Sequence, residues 1–189
     1  MAGRLRVVAG EAGGLHLVAP PDARPTTERA REALFSALGE FVGGAVVLDL
    51  FAGSGAMAIE ALSRGAERAV LVDDDREARR ACVQNLATTR FTDRAQVVGS
   101  TVLRYLGSRR ADSADVDLVF CDPPYEVPDD ELVAVLDALR ASGCLAEDAV
   151  VVVERRGPTW GPPDGWSTSW QRKYGDTLMT VVHTTDVLL

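Results

Sequence analysis

Apolar runs alternate with amphipathic segments from residue 45 of the chain onward. Five runs rich in Val and Leu are continuous, and we predict strands at "AVVLDLF", "RAVLVD", "AQVVG", "VDLVFCD" and "AVVVVER". Apolar residues at helical spacing predict the intervening helices at "AMAIEALSR", "REARRACVQNLATT", near "VLRYL" and at "DDELVAVLDALRAS". Strands that are apolar on both faces are typical of a parallel sheet covered by helices. The pattern therefore predicts an α/β, Rossmann-like domain with helices on both faces of a mostly parallel sheet.

The two ends of the chain depart from this alternation. Near the C-terminus, "WSTSWQRKYG" and "TLMTVVHTTDVLL" lie too close together for a helical crossover, so we predict an antiparallel hairpin at the sheet edge. Near the N-terminus, "RLRVVAG" and "LHLVAP" flank the Gly-rich turn "EAGG" and predict a second hairpin. Because an isolated hairpin is marginally stable in water, we expect the N-terminal one to be mobile.

A helix is predicted after the N-terminal hairpin, beginning at Pro25 and Thr26. Its apolar stripe consists of Ala30, Ala33, Leu34, Ala37 and Leu38. We therefore divide the chain into an N-terminal hairpin and helix extension, residues 1–40, and a sheet domain, residues 41–189.

Composition narrows the class of protein. The 189 residues include 47% apolar and 25% charged residues, which suits a globular domain. The net charge of -8 argues against a protein that coats nucleic acid without specificity. From the apolar pattern we expect neither a membrane span nor a signal peptide. Three widely spaced cysteines, Cys82, Cys121 and Cys144, and two isolated histidines predict buried thiols and neither a disulfide framework nor a metal site.

The loop after the first strand, "DLFAGSGAMA", has the form of a nucleotide-binding turn. Gly53 and Gly55 allow the backbone to turn sharply and approach a ligand closely. Asp73 follows Gly53 by 20 residues, at the end of the second strand, where an acid can accept hydrogen bonds from ribose hydroxyls. This arrangement fits a nicotinamide dinucleotide as well as an adenosyl ligand.

The acidic surroundings of this loop favour an adenosyl ligand. Asp49 would repel a pyrophosphate but suits a cationic ligand such as S-adenosylmethionine. Ser100 and Thr101 stand at the end of the third strand, where they could either contact the edge of the adenine or cap the following helix. The candidate cofactor-binding residues are Asp49, Phe51, Gly53, Ser54, Gly55, Asp73, Ser100, Thr101 and Asp122.

The fourth strand ends in "CDPPYE", which suits methyl transfer to an amino nitrogen. The lone pair of an exocyclic amino group is delocalised, and two hydrogen-bond acceptors can localise and aim it. Asp122 offers one acceptor, and the Pro123 carbonyl, held stiffly by the prolines at 123 and 124, offers the other. Tyr125 offers a flat face for an extruded base. The candidate catalytic residues are Asp122, Pro123, Pro124 and Tyr125.

These motifs together resemble the bacterial 16S ribosomal RNA guanine-N2 methyltransferase family. The matching stretches are "RVVAG", "RPTTERAREALF", "DLFAGSGAMAIEALSRGA", "LVDDDR", "NLA", "DLVFCDPPYE" and "KYGDT". The resemblance implies the seven-stranded sheet of class I methyltransferases. The chain departs from the family pattern at three places. A basic residue is usual within the turn at Glu11–Gly14, Glu is commoner than Asp73, and Asp or Asn is usual in place of Thr101.

The resemblance implies transfer of a methyl group from S-adenosylmethionine, which becomes S-adenosylhomocysteine, to N2 of one guanine in 16S rRNA. The implied partner is a 30S subunit or assembly intermediate with its ribosomal proteins. No metal and no membrane are implied, and we expect a cytoplasmic monomer. The resemblance also implies that the extension at residues 1–40 contacts RNA and covers the cofactor. The implied RNA-binding residues are Arg4, Arg6, Arg24, Thr26, Arg29 and Tyr125, and Arg31 is a further candidate for phosphate contact.

Three other functions compete with this interpretation. One is an amino-methyltransferase acting on DNA adenine or cytosine or on a protein amide, although the short chain has no separate target-recognition domain. Another is an NAD-dependent oxidoreductase, which leaves Asp49 and the Asp-Pro-Pro-Tyr element unexplained. The last is a non-catalytic RNA-binding or assembly factor, which the intact Asp122 argues against.

Overall fold

The computed structural model describes residues 5–21, 26–109, 115–124, 127–157 and 159–185. Its helices are α1 (Glu28–Leu38), α2 (Ala56–Ser63), α3 (Arg76–Thr89), α4 (Val102–Ser108) and α5 (Asp129–Ala141), with short 3-10 helices at Gly39–Val42 and Thr92–Arg94. Its strands are β1 (Val46–Leu50), β2 (Arg68–Asp73), β3 (Ala95–Gly99), β4 (Val116–Cys121), β5 (Leu145–Arg156), β6 (Trp166–Tyr174) and β7 (Thr177–Thr184).

Within the described residues, seven strands form one sheet in the order β3-β2-β1-β4-β5-β7-β6. The first five strands pair in parallel, and β7 runs antiparallel to both β5 and β6. The predicted α/β class, the parallel core and the C-terminal hairpin are therefore confirmed. The chain winds outward in opposite directions from β1 and β4, so the carboxyl ends of these two strands border a crevice suited to a ligand.

The sheet separates two hydrophobic clusters because neighbouring strand residues point to opposite faces. On one face, Val47, Phe120 and Val152 pack with residues of α1, α2 and α3. On the other face, Leu48 and Cys121 pack with residues of α4 and α5. The N-terminal segment also contributes to the first cluster, so it shares a core with the sheet; the boundary between residues 40 and 41 stays a prediction.

The N-terminal hairpin is short but firmly docked. Backbone bonds join Val7 N to Leu15 O at 3.0 Å and Leu17 N to Leu5 O at 2.9 Å, although a single isolated bridge stands in place of the two predicted strands. The carboxylate of Glu60, on α2, accepts hydrogen bonds from the backbone N–H groups of residues 8 and 9. We expected this hairpin to be mobile because an isolated hairpin is marginally stable, but these bonds attach it to the helix beside it; its mobility stays a prediction.

Two further side chains hold the same segment. The Ser63 hydroxyl donates to Ala9 O at 2.6 Å and accepts from Ala12 N at 2.9 Å. The Asn85 side chain accepts from Val18 N and donates to Val18 O, both at 2.8 Å. The hairpin therefore satisfies its unpaired backbone groups with side chains of α2 and α3.

Helix α1 begins later and faces differently than predicted. It starts at Glu28, and the Thr27 hydroxyl accepts a hydrogen bond from Ala30 N at 3.3 Å, as an N-cap does. The buried residues are Ala30, Arg31, Leu34 and Phe35, whereas Ala37 is exposed, so the predicted stripe was partly wrong. The buried face of α1 is therefore rotated relative to the predicted stripe. As a result, the Arg31 guanidinium lies against the hairpin, where it donates to Arg6 O at 2.6 Å.

Two glycines of the hairpin give a matched test of this docking. Gly10 and Gly14 have φ values of 84° and 85°, so alanine strains the backbone at either position by about 1 kcal/mol. A Cβ at Gly10 would overlap the Ser63 carbonyl oxygen, whereas one at Gly14 would meet open space. We expect Gly10→Ala to lower the free energy of unfolding by roughly 2 kcal/mol more than Gly14→Ala in urea titrations. Equal effects of the two substitutions would contradict the docked hairpin.

Among the described residues, no helix combines the length and apolar character needed to cross a membrane. The three cysteines are buried free thiols, as predicted. Across the same described ranges, no group of three His, Cys, Asp or Glu residues is arranged to hold a metal ion.

Candidate active site

A cleft of about 1090 Å³ opens at the carboxyl ends of β1, β2, β4 and β5. It lies at the crevice that the strand order creates. Its lining includes two arginines, Arg155 and Arg156, but the acidic residues outnumber them: Asp49, Asp73, Asp74, Asp75, Glu77, Asp122, Glu154 and Asp176. Such a surface favours cations and hydrogen-bond donors over phosphates.

The glycine loop at residues 53–55 forms one wall of this cleft, and its two glycines have different roles. Gly55 has a φ of 73°, and a Cβ there would lie 2.7 Å from Leu71 Cδ2, so this glycine allows α2 to pack closely on β2. Gly53, with a φ of 56°, has no such neighbour, and its backbone lines the cleft. Only Gly53 therefore leaves room for the backbone to approach a ligand.

Asp73 is fixed in place by the loop. Its Oδ2 accepts a hydrogen bond from Gly53 N at 2.8 Å, and its Oδ1 accepts one from Asp75 N at 2.9 Å. Partial burial raises the pKa of Asp73, although these two bonds oppose the shift. Because a carboxylate has about four acceptor positions, each oxygen retains one for a ligand hydroxyl.

Asp49 lies deeper in the cleft than Asp73, beside the N-terminus of α2. It is 3% exposed, and its Oδ2 accepts a hydrogen bond from Ala58 N at 3.1 Å in the first turn of the helix. Burial raises the pKa of Asp49 to about 8, and the charge of Asp73 adds to the rise. A cation in the cleft would stabilise its ionised form.

Asp122 follows β4 directly and projects into the cleft. Surrounding protein atoms, and then the carboxylates of Glu154 and Asp49, raise the pKa of Asp122 well above its usual range. Water in the open cleft moderates this rise, because the residue is solvent-exposed. Pro123 is buried and Pro124 is exposed, and both line the cleft. Tyr125 lies outside the described residues.

Glu154, near the end of β5, completes the acidic floor. The Thr26 hydroxyl donates to its Oε2 at 2.6 Å, and the Thr177 side chain also hydrogen-bonds to it. Burial raises the pKa of Glu154, whereas these hydrogen bonds and the charge of Arg31 lower it. Sequence reasoning missed this residue, although "VVVVER" ends a predicted strand at the same sheet edge as Asp122.

Comparison with known proteins agrees with this geometry. Residues 5–183 match the family described as "Conserved hypothetical protein 95". The chain is 35% identical over 178 residues to ribosomal RNA small subunit methyltransferase D of Escherichia coli K12, covering 92% of this chain and 87% of that protein. It belongs to this methyltransferase family.

Other members agree with the assignment. The same named enzyme of Haemophilus influenzae is 28% identical over 177 residues and is matched along 90% of its length. Among solved structures, yhhF from Escherichia coli superposes with a TM-score of 0.82 at 34% identity, covering 96% of this chain and 98% of that chain. Membership in a methyltransferase family excludes the oxidoreductase interpretation.

The remaining cofactor candidates of this family member lie in different places. Phe51 has a φ of 62° and lines the cleft, as Ser54 does. Ser100 and Thr101 follow β3 but are not among the residues lining the cleft. Thr101 occupies the N-cap position of α4 without a side-chain capping bond. An adenine contact by either residue stays a prediction.

The candidate RNA-binding residues also differ in their surroundings. Arg4, Arg24 and Tyr125 lie outside the described residues. Arg6 binds Glu28 in a two-pronged ion pair with N–O distances of 2.9–3.1 Å, although its side chain is 52% exposed. Arg29 is exposed, and Thr26 lines the cleft, so both positions remain open to RNA.

Arg31 does not fit the phosphate contact we considered for it. Its side chain is buried at 1% exposure and binds the backbone oxygens of Arg6 and Thr26. Its guanidinium therefore stabilises the docked hairpin, and its positive charge stabilises the ionised carboxylates nearby. An arginine on a helix is usually exposed to solvent. Arg31 is buried because the hairpin packs over α1.

The raised pKa of Asp49 predicts a pH-dependent stability. The native state keeps a proton that the unfolded chain has released above about pH 4, so stability falls as pH rises toward about 8, the pKa of Asp49 in the folded protein. Asp49→Asn keeps an acceptor for Ala58 N but removes the titration. We expect the stability of the variant relative to the wild type to increase by roughly 3 kcal/mol between pH 5 and pH 8 in urea titrations. Parallel pH curves for the two proteins would rule out this assignment.

Proposed function

We propose that the protein transfers a methyl group from S-adenosylmethionine to the exocyclic N2 of a guanine in 16S rRNA of the assembling small subunit. One observation carries the proposal: the glycine loop with Asp73, and Asp122 with its two prolines, line a single cleft. The names of the relatives support ribosomal RNA of the small subunit as the substrate. We expect the enzyme to act in the cytoplasm, where this particle is assembled.

The residues of the cleft suit the methyl donor. Asp73 retains acceptor positions for the two ribose hydroxyls, and Gly53 leaves room for the ligand beside them. Asp49 would offset the positive charge of the amino acid part. When bound, S-adenosylmethionine supplies a methyl group on a positively charged sulfur, and the protein's task is to present an amino nitrogen to it.

Asp122 and the Pro123 carbonyl are the proposed acceptors for that amino group. Hydrogen bonds from the two N2–H groups would localise the nitrogen lone pair and aim it into the cleft. The nitrogen must lose a proton in the reaction, and we assign Asp122 to receive it. A raised pKa makes Asp122 a stronger base for this transfer than an ordinary aspartate. Stacking of the base on Tyr125 stays a prediction from the motif.

Binding of RNA must overcome the acidity of the chain. The net charge of -8 opposes the approach of phosphates, and Arg6 is already paired with Glu28. We therefore propose that the substrate is the 30S subunit or an assembly intermediate, whose ribosomal proteins contribute contacts, and that the enzyme acts on it as a monomer.

Methyl transfer to isolated particles tests the proposed function. Small subunits from a strain lacking the enzyme would be incubated with the protein and S-adenosylmethionine carrying a tritiated methyl group, and the RNA digested to nucleosides. We expect the label in N2-methylguanosine of 16S rRNA. Label in another nucleoside, in protein, or only in added DNA would overturn the substrate assignment, and DNA label would favour the alternative amino-methyltransferase.

A further inference from the structure

Asp122 and Glu154 lie side by side at the edge of the sheet. Strands β4 and β5 are parallel, and their register pairs Phe120 with Val152 and Cys121 with Val153. One residue further, this register brings Asp122 opposite Glu154, on strands about 4.8 Å apart. Both residues line the cleft.

The two carboxylates also share one face of the sheet. Phe120 and Val152 belong to the same hydrophobic cluster, on the face covered by α1 and α2. Side chains two positions along a strand return to that face, so Asp122 and Glu154 both lie above this cluster. A substrate group held by Asp122 therefore has Glu154 as its lateral neighbour.

Glu154 is held in a defined orientation. Hydroxyl groups from two separate elements, Thr26 before α1 and Thr177 at the start of β7, bind its carboxylate. Burial raises the pKa of Glu154, whereas these two hydrogen bonds and the nearby charge of Arg31 oppose the rise and favour the ionised form. Since a carboxylate has about four acceptor positions, the two hydroxyls leave others free for the cleft. Glu154 thus offers a fixed hydrogen-bond acceptor beside Asp122.

Two adjacent acceptors match one nucleobase edge better than the others. Guanine carries the N1–H donor directly beside its amino group, so it presents neighbouring donors. Adenine and cytosine carry a ring nitrogen acceptor at the corresponding place, which an ionised carboxylate repels. A site that hydrogen-bonds a substrate N–H group rejects analogues lacking it strongly, because its own buried polar group is left unpaired.

We propose that Glu154 is a specificity-determining residue that accepts the N1–H hydrogen bond of the guanine whose amino group is held by Asp122. The inference rests on the proposed function and adds the group that recognises the base. Thr26 and Thr177 are positioning residues for this carboxylate. Sequence motifs around Asp122 specify an amino group, whereas Glu154 specifies which base carries it.

A target base that lacks N1–H tests this assignment. Small subunits would be reconstituted with 16S rRNA in which 2-aminopurine replaces the target guanine, which keeps the amino group but turns N1 into an acceptor. The kcat/KM for methyl transfer would be measured on both particles for the wild type, Glu154→Gln and Glu147→Gln. Glu147 is an exposed residue of the same strand and serves as the matched control.

The wild type and the control are expected to prefer guanine by at least about 100-fold. In Glu154→Gln, the amide can donate to the acceptor of 2-aminopurine, so we expect the preference to fall by at least about tenfold, with unchanged binding of S-adenosylhomocysteine. Thr26→Val, which frees one side of Glu154, should reduce the preference several-fold without altering that binding.

The outcomes separate the two proposals. If the wild type methylates neither particle, the proposed function fails and the inference falls with it. If the wild type methylates guanine but Glu154→Gln keeps the full preference, the inference alone is overturned. A loss of activity in Glu154→Gln that follows a loss of S-adenosylhomocysteine binding, with preference unchanged, would likewise assign Glu154 to the cofactor and overturn its role in base recognition.

Discussion

Asp122→Asn is expected to lower methyl transfer to small subunits by at least about a thousandfold while leaving S-adenosylhomocysteine binding within about threefold of the wild type. The substitution keeps the shape of the side chain and one acceptor oxygen. It removes the charge that would polarise the amino group and the base that would receive its proton. Single-turnover transfer of a tritiated methyl group and calorimetry would measure the two effects separately.

The neighbours of Asp122 explain why its loss should affect the reaction more than cofactor binding. Asp122 was also a candidate cofactor-binding residue, but the proposed contacts for the ribose and the cationic part of the cofactor are Asp73 and Asp49, on β2 and β1, not on β4. Asp130→Asn, at the exposed start of α5, is a suitable control and should retain full activity. An Asp122→Asn enzyme with more than about a tenth of wild-type activity would contradict the proposed mechanism.

Glu60→Ala is expected to lower the free energy of unfolding by about 3–5 kcal/mol. The Glu60 carboxylate is fully buried and accepts from Val8 N at 2.7 Å, Ala9 N at 3.1 Å and Arg64 Nε at 2.8 Å. Alanine leaves all three donors without this partner, and two of them hold the hairpin on α2. Urea titration would give the stability change, and hydrogen exchange should show loss of protection within residues 5–17.

A surface glutamate close in sequence provides the comparison. Glu67 pairs with Arg68 at 3.2 Å, but its side chain is 64% exposed. Because exposed ion pairs contribute little, Glu67→Ala should change stability by less than about 1 kcal/mol. Similar small effects of both substitutions would show that the hairpin does not depend on the buried carboxylate.

Local sequence patterns predicted the central architecture well. The continuous apolar runs of β1 to β5 and the helical spacing between them were sufficient, because a strand covered on both faces has few alternatives to a parallel sheet. The same patterns placed the glycine loop, Asp73 and Asp122 at one edge of the sheet. Parallel strands bring their carboxyl ends to the same edge, so the motif positions alone indicated a shared site.

The N-terminal segment was predicted less well, and the reason is physical. Its hairpin has few ladder bonds of its own and depends on Glu60, Ser63 and Asn85, which lie 51–67 residues away in the chain. A periodic pattern within one segment carries no information about such distant partners. The partly wrong stripe of α1 has the same origin, since packing of the hairpin buries a charged residue, Arg31, on the inner face.

By itself, the sequence determined the class of sheet and placed the glycine loop and Asp122 at the ends of their strands, since each depends on residues close together in the chain. Only the tertiary structure decided that Glu154 stands beside Asp122, held by Thr26 from a segment 128 residues away. It also decided that Arg31 is buried and does not face solvent. Both facts follow from which strands and segments become neighbours, and long-range packing sets those neighbours.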